Sequence, residues 1–350
     1  MDKKFRPLFC SMVGVLMAWS ASFAHAVPLK FTAISTPFPT PIGIDFHEPT
    51  DSLVMSVNYA SGIPHNFRRV ESDGSQFPFS SISGFTNEVK IATVRSGNPG
   101  GFATGALFTG NGVDGQIVRI APDGSSSAVF VSLPGAGNGL MRGSLYVDRT
   151  GVYGGDLIAV TTAGEVWRIN SAGTPTKIED VNTHLEGVIT VPNDPKYGDL
   201  AGKIIAGAEG SGQLFIFDNN GFVASPNVGV NIEDIDMIVD DENFFGVNFG
   251  TGRLLGVEAA QFDSVIGDIL LTQEFGGTTG LFRMFWDGAS IKTEAFTLAT
   301  GSFNPGQWEH VTFAPIGVLE IPPPGVPEPT TLALLGLALA GLGLSRRKKT

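Results

Sequence analysis

Six copies of one hairpin govern the architecture open to this chain. Each copy is an apolar strand, a turn, and a second strand of aliphatic and aromatic residues, four of them with an arginine in register. Residues 52–57 precede Asn66-Phe67-Arg68-Arg69-Val70, and residues 106–108 precede Gln116-Ile117-Val118-Arg119-Ile120. The pattern returns at 156–160 with 165–169, 203–206 with 213–217, 244–247 with 253–257, and 268–271 with 281–285. The residues that open the second strands are His65, Gly115, Gly164, Gly212, Gly252 and Gly280, at steps of 50, 49, 48, 40 and 28. The first three steps have the length of a four-stranded repeat unit, about 40–50 residues. The last two are shortened.

A further strand can be placed before each hairpin, at 43–46, 89–94, 145–147, 188–191, 235–239 and 262–266, with a seventh at 311–313. Trailing strands fall at 77–82, 128–133, 175–181 and 291–298, and residues 29–35 have the same character. No long 3.6-residue apolar stripe interrupts them. The hairpin strands are almost continuously apolar, as expected of strands covered on both faces. Blades stacked around an axis supply that cover. Surplus strands at the two ends predict that the terminal segments meet and close the ring, protecting the sheet edges. The expectation is an all-β fold: a β-propeller of six four-stranded blades over residues 28–318. A seven-bladed ring or a pair of β-sandwiches are the alternatives. In repeat style the region resembles six-bladed propellers of the SMP-30/gluconolactonase and NHL types.

The two ends read as addresses. Residues 1–26 have the cations Lys3, Lys4 and Arg6, an apolar run from Leu8 to Trp19, and the small-x-small site Ala24-His25-Ala26. This is the pattern of a secretory signal peptide, which implies export through the Sec translocon. The single cysteine, Cys10, lies inside it, so the mature chain has no thiol and no disulfide. At the other end, residues 319–329 form a linker ending in Pro327-Glu328-Pro329, where proline forbids helix and central strand alike. Residues 330–350 follow as an apolar Leu/Ala/Gly run closed by Arg346, Arg347, Lys348 and Lys349. An apolar helix stopped by a basic cluster predicts a transmembrane helix with a cytoplasmic tail. Linker, Pro-Glu-Pro, apolar helix and basic tail in this order resemble the PEP-CTERM sorting signal of Gram-negative bacteria. The resemblance implies processing by an exosortase from an inner-membrane-anchored precursor, release to the cell surface or medium, and a producer of exopolysaccharide.

The formal net charge is −12, and the two ends contribute +2 and +4, so residues 27–329 carry −18. Such acidity argues against nucleic-acid binding and favours solubility and attraction of divalent cations. Glutamates recur just before the leading strands: Glu88, Glu186, Glu233 and Glu309. Arg142 holds the comparable place in the third copy and Gln261 in the shortened one. If the repeats align, these side chains converge on one mouth of the channel. There a cation or Arg142 must offset them, and Ca2+ is the candidate cation, since a hard cation takes six to eight oxygens. Leu185-Glu186-Gly187-Val188 resembles the Glu-Gly stretch that supplies a metal ligand in SMP-30-like lactonases. The run Glu233, Asp234, Asp236, Asp240, Asp241, Glu242 lacks EF-hand spacing and reads as a charged turn. The Gly-ended turns at Gly74, Gly124, Gly221 and Gly288 read as turn chemistry. Arg69, Arg119, Arg168 and Arg283 are expected to pair with carbonyls or carboxylates between blades. The histidines 47, 65, 184 and 310 show no zinc spacing, and no nucleophile elbow or P-loop is present.

An address without a catalytic signature favours a non-enzymatic extracellular propeller that binds glycan or protein partners. A Ca2+-dependent hydrolase or lactonase using the glutamate ring, and a structural matrix component, are the other readings.

Overall fold

Runs of β-branched and aromatic residues between glycine-rich turns form twenty-four strands among the described residues of the computed structural model. Described are residues 28–35, 37–58, 65–142, 145–274 and 279–321. The predicted signal peptide, the Pro-Glu-Pro motif and the apolar tail lie outside them. Among the described residues no helix is long and apolar enough to cross a membrane.

The strands make six four-stranded antiparallel sheets. The chain starts with β1 (Thr32–Ala33) and then builds blade 1 from β2 (Ile44–His47), β3 (Ser52–Ser56), β4 (Phe67–Val70) and β5 (Gln76–Pro78). Blade 2 follows as β6 (Ile91–Thr93), β7 (Leu107–Gly110), β8 (Gln116–Ile120) and β9 (Ser127–Ser132). Blade 3 is β10 (Leu145–Val147), β11 (Leu157–Val160), β12 (Glu165–Ile169) and β13 (Pro175–Asp180). Blade 4 is β14 (Glu186–Thr190), β15 (Ile204–Ala208), β16 (Gln213–Asp218) and β17 (Gly221–Ala224). In each, the first strand is innermost, and it packs against the innermost strands of both neighbouring blades.

The last two blades are interlocked. β18 (Ile232–Met237) is the innermost strand of blade 5, but the next hairpin, β19 (Glu242–Asn248) and β20 (Arg253–Val257), does not pair with it. That hairpin crosses to blade 6. The chain then returns to complete blade 5 with β21 (Ile269–Gln273), β22 (Leu281–Trp286) and β23 (Ile291–Ala295), and β18 pairs with β21. Finally β24 (Trp308–Pro315) pairs with β19, while β1 pairs with β20. Both ends of the ring-forming chain therefore lie in blade 6, and the predicted six-bladed ring closes as expected.

Two placements differ from the sequence reading. The segment 235–239 leads the hairpin at 269–286, not the one at 242–257. Residues 262–266 are not a strand: they lie in and beside short 3-10 turns, Ala259–Gln261 and Asp263–Val265. Phe262 is drawn inward there by edge-on contacts with Phe296 and Phe313, at 5.7 and 5.6 Å. The shortened steps of 40 and 28 residues thus record a crossover, because one hairpin belongs to the adjacent blade.

The core consists of layers between blades. Phe46, Met55 and Val70 of blade 1 pack with Phe245, Val247 and Leu254 of blade 6. Phe244, Trp308 and Phe313 of blade 6 pack with Leu270 and Leu281 of blade 5. The turns following the second hairpin strands lock these layers. At Gly124, with φ +71°, a Cβ would lie 2.1 Å from the Phe79 carbonyl of blade 1. At Gly74, with φ +80°, it would lie 2.7 Å from the Ile34 carbonyl, next to β1. Each turn thus rests on the outer margin of the preceding blade, where only glycine fits. Asp73 and Asp123 cap these turns by accepting from Ser75 and Ser125 N–H at 2.8 and 3.0 Å.

The recurring arginines serve mainly their own blades rather than the joints between blades. Arg69 and Arg119 lie over Phe77 and Phe130, each 5.6 Å from the ring centroid. Arg168 binds Asp156 at 2.7 Å and also reaches Asn219 of the next blade at 2.7 Å. Arg283 binds Glu294 at 2.6 Å.

Candidate functional site

The six innermost strands run in the same direction along the channel, so their starts share one mouth. The second strands are antiparallel to them and end at that same mouth. Glu186 opens β14, Glu233 and Glu309 are the second residues of β18 and β24, and Glu88 lies just ahead of β6. All four predicted glutamates meet here. Glu209, immediately after β15, and Glu274, immediately after β21, join them. Gln261 does not: it sits on a 3-10 turn and accepts from Lys30 N–H at 2.7 Å, beside the strand run of β1.

The charge that offsets the ring comes from the chain itself. Lys90, one residue before β6, is only 1% exposed. Its ammonium contacts Glu233 Oε1 and lies 3.8 Å from Glu186 Oε2. Burial alone would neutralise this amine. Glu233, Glu186, Glu309 and Asp234 outweigh that and hold it well above the ordinary lysine value. Glu186 and Glu233 share what one ammonium can offer. Against the cost of burial, Lys90 keeps Glu186 at about 2. Glu233 is pushed well up by burial and by the Glu186 charge, so of the two it is the carboxyl that favours a proton. Arg142 occupies the predicted place in the third copy and grips both oxygens of Glu88 through Nε and Nη2.

Outside this neutralised layer lie carboxyls with less compensation. Burial, then the charges of Glu88, Glu274 and Glu186, raise Glu309 to about 8 despite Lys90. Burial and a shared hydrogen bond with Glu209 raise Glu274 to about 7. Gln307 Nε2 donates to Glu274 and, at 3.4 Å, to Glu309. His184 Nε2 lies 2.8 Å from Glu186 Oε1. Two sets of three have their ligand atoms within 4.8 Å of one another: His184, Glu186, Glu209, and Glu209, Glu233, Glu274.

Deeper in, buried polar groups tie the blades together. Asp45 of blade 1 accepts from Thr93 N–H at 2.7 Å in blade 2, from Thr312 Oγ1 at 3.1 Å in blade 6, and from Arg149 at 3.2 Å in the β10–β11 connection of blade 3. Burial raises its pKa, but Arg149, Arg95 and the Thr93 N–H more than offset this and keep it low. Asp234 accepts from Val311 N–H at 2.8 Å, and burial lifts it to about 8. His310 Nδ1 accepts from Ile44 N–H at 3.0 Å, and burial pushes it down to about 3, so it is neutral. The acidic run is therefore only partly a turn. Glu233, Asp234 and Asp236 are buried on β18, and the turn itself is Asp240-Asp241. Carboxylates can occupy this strand because it lines the channel, where opposite charges and backbone donors face it.

Lys90, Glu209, Glu274 and His184 were not among the residues the sequence singled out. Lys90 sits in the run Val89-Lys90-Ile91, where a cation inside a leading strand is the available signal. Glu209 and Glu274 each end a second strand, which the antiparallel pairing carries to the mouth.

A hard cation fits the inner layer poorly, because the Lys90 ammonium already faces Glu233 and Glu186. Both three-group sets include one of these two carboxyls, beside the less buried Glu209.

Residues 325–348 match the PEP-CTERM protein-sorting motif. No curated protein matches the chain in sequence. Among solved structures, the PQQ-bound form of aldose sugar dehydrogenase from Streptomyces coelicolor is 13% identical, with 82% of this chain and 90% of that chain covered and a TM-score of 0.50. A gluconolactonase from Xanthomonas campestris is 13% identical, covering 82% and 88%, at 0.49. A chain of a nidogen/laminin complex is 10% identical, covering 82% and 98%, at 0.49. Likeness at this level of identity concerns the fold alone. The sorting motif implies exosortase processing, export, and a surface or secreted location.

Proposed function

We propose that the ring is a non-enzymatic binding module for glycan in the envelope or exopolysaccharide matrix, delivered there by removal of its sorting tail. The observation that carries this reading is the allocation of charge at the glutamate mouth. Lys90 and Arg142 engage the inner carboxylates, while Glu274 and Glu309, raised to about 7 and 8, titrate near neutrality. Carboxyls in that state both donate and accept hydrogen bonds, which is what sugar hydroxyls require. Titrating the exported protein, collected outside the producing cells, with a panel of neutral and uronic oligosaccharides tests it. Neutral sugars should bind, and Glu274→Ala should weaken that binding by about tenfold, the upper end of one net hydrogen bond. Absence of binding by every sugar would remove the proposal.

The two three-group clusters favour a second reading, a Ca2+-dependent hydrolase acting on sugar lactones or esters, with one carboxylate as general base. Under that reading millimolar Ca2+ raises the melting temperature, and Glu209→Gln with Glu233→Gln abolishes the rise. An unchanged melting temperature counts against it.

A further inference from the structure

The channel has a second mouth, where the innermost strands end. Along β18, Glu233 and Asp236 are three residues apart, about 10 Å at the rise of an extended strand. A pocket of about 340 Å³ opens at this far end. That is the lower end of the range for small-ligand sites, about 300–1,000 Å³. Its walls are apolar and aromatic, including Tyr146, Tyr197, Ile238, Val239, Ile266 and Phe313. Ile266, on the rim, is 41% exposed although large and aliphatic.

The polar groups form a mixed floor. Arg95 Nη1 donates to Glu242 Oε1 at 2.7 Å, and Nη2 donates to the Phe313 carbonyl. Arg149 lies over the Tyr146 ring at 5.3 Å and makes long bonds to Asp45, 3.2 and 3.4 Å, through Nη2 alone. Asp236 Oδ1 accepts from Met237 N–H at 2.7 Å, and its other oxygen has no hydrogen-bond donor among the described residues. Guanidinium donors and carboxylate acceptors, Asp236 and Asp240 among them, thus stand side by side beneath apolar walls. A carboxylate ligand would suit Arg149 but meet Asp236, and an ammonium ligand would suit Asp236 but meet Arg149. An uncharged head that accepts and donates suits both.

We propose that this second mouth binds a small uncharged amphiphile, with an amide or hydroxyl head between Arg149 and Asp236 and its apolar body against Tyr146, Tyr197 and Ile266. The assignment is independent of the glycan reading at the opposite mouth.

Four probes of equal length separate the possibilities: octanamide, octan-1-ol, octanoate and octylamine, titrated into the exported protein and followed by ligand-observed NMR. Octanamide and octanol should bind about tenfold more tightly than the two charged probes. Ile266→Asp, an exposed rim change, should abolish binding without lowering the melting temperature. Asp236→Asn should raise octanoate affinity selectively, because the carboxylate that repels it is gone. Glu274→Gln, at the other mouth, should leave all four unchanged. The proposal is overturned if none of the four binds. It is equally overturned if affinity follows hydrophobicity alone and Ile266→Asp has no effect.

Discussion

Lys90 concentrates the electrostatic problem of the channel in one side chain. Removing it leaves Glu186 and Glu233 buried without their partner. Lys90→Met should therefore cost about 3–5 kcal/mol in a urea melt, the usual effect of breaking a buried ion pair from one side. Adding Glu186→Gln and Glu233→Gln should recover much of that loss, and failure to do so would mean that Lys90 acts by packing. Proton linkage gives a second expectation. Asp234 and Glu309 are raised to about 8 in the folded state, above their ordinary values of 3.8 and 4.5. The folded chain then binds more protons than the unfolded one between those limits, so stability falls as pH rises through that window. Asp45 and Glu186 shift the other way but titrate below it, while His310, pushed down to about 3 from 6.5, opposes the trend only below about pH 6.5. Between about pH 6.5 and pH 8 the unfolding free energy should fall by on the order of 1–3 kcal/mol per pH unit, and Glu309→Gln should flatten the slope. A stability that rises with pH contradicts this. The glutamate ring could be read from sequence because Glu recurs ahead of leading strands at a repeat spacing. Lys90 could not, because a lone lysine beside a strand ordinarily points to water, and only the assembled ring turns it inward.

The turn glycines join one blade to the next. Gly124→Ala meets both a positive φ and a carbonyl oxygen 2.1 Å from the new Cβ. Gly288→Ala meets a positive φ, +97°, but no atom within 4 Å. The first should lose about 2–3 kcal/mol and the second about 1, and equal losses would show that the joint to blade 1 contributes nothing. Strand positions in blades 1–4 are close to their sequence placement, except β17, for which the sequence placed no strand, because apolar runs and Gly-ended turns alternate there without interruption. The pairing in blades 5 and 6 was not readable. Only residues 238–241 separate β18 from β19, a length that suits a hairpin as well as a crossover. What decides the partner is pairing with β24, distant in sequence, where Phe244 and Phe313 meet edge-on at 5.7 Å, and no local residue encodes it.

Closure joins β1 near one end to β24 near the other within a single sheet. The ring and the tail should therefore separate cleanly. Deleting residues 325–350, which contain the matched motif, should leave the melting transition unchanged and alter only where the protein goes. Deleting 308–350 removes the innermost strand of blade 6 and should abolish cooperative unfolding. If both truncations melt alike, β24 does not close the ring. The sorting motif was plain in sequence because its parts are contiguous. The chemistry of the mouth was only half visible, since its residues come from five blades and, of the two offsetting charges, Arg142 could be placed from sequence and Lys90 could not. The most direct measurement is an oligosaccharide titration of the exported protein at pH 7 in excess EDTA. With the inner ring neutralised by Lys90, binding should persist without metal and disappear in Glu274→Ala/Glu309→Ala. Binding that appears only when Ca2+ is restored, or turnover of a sugar lactone in its presence, would contradict the account.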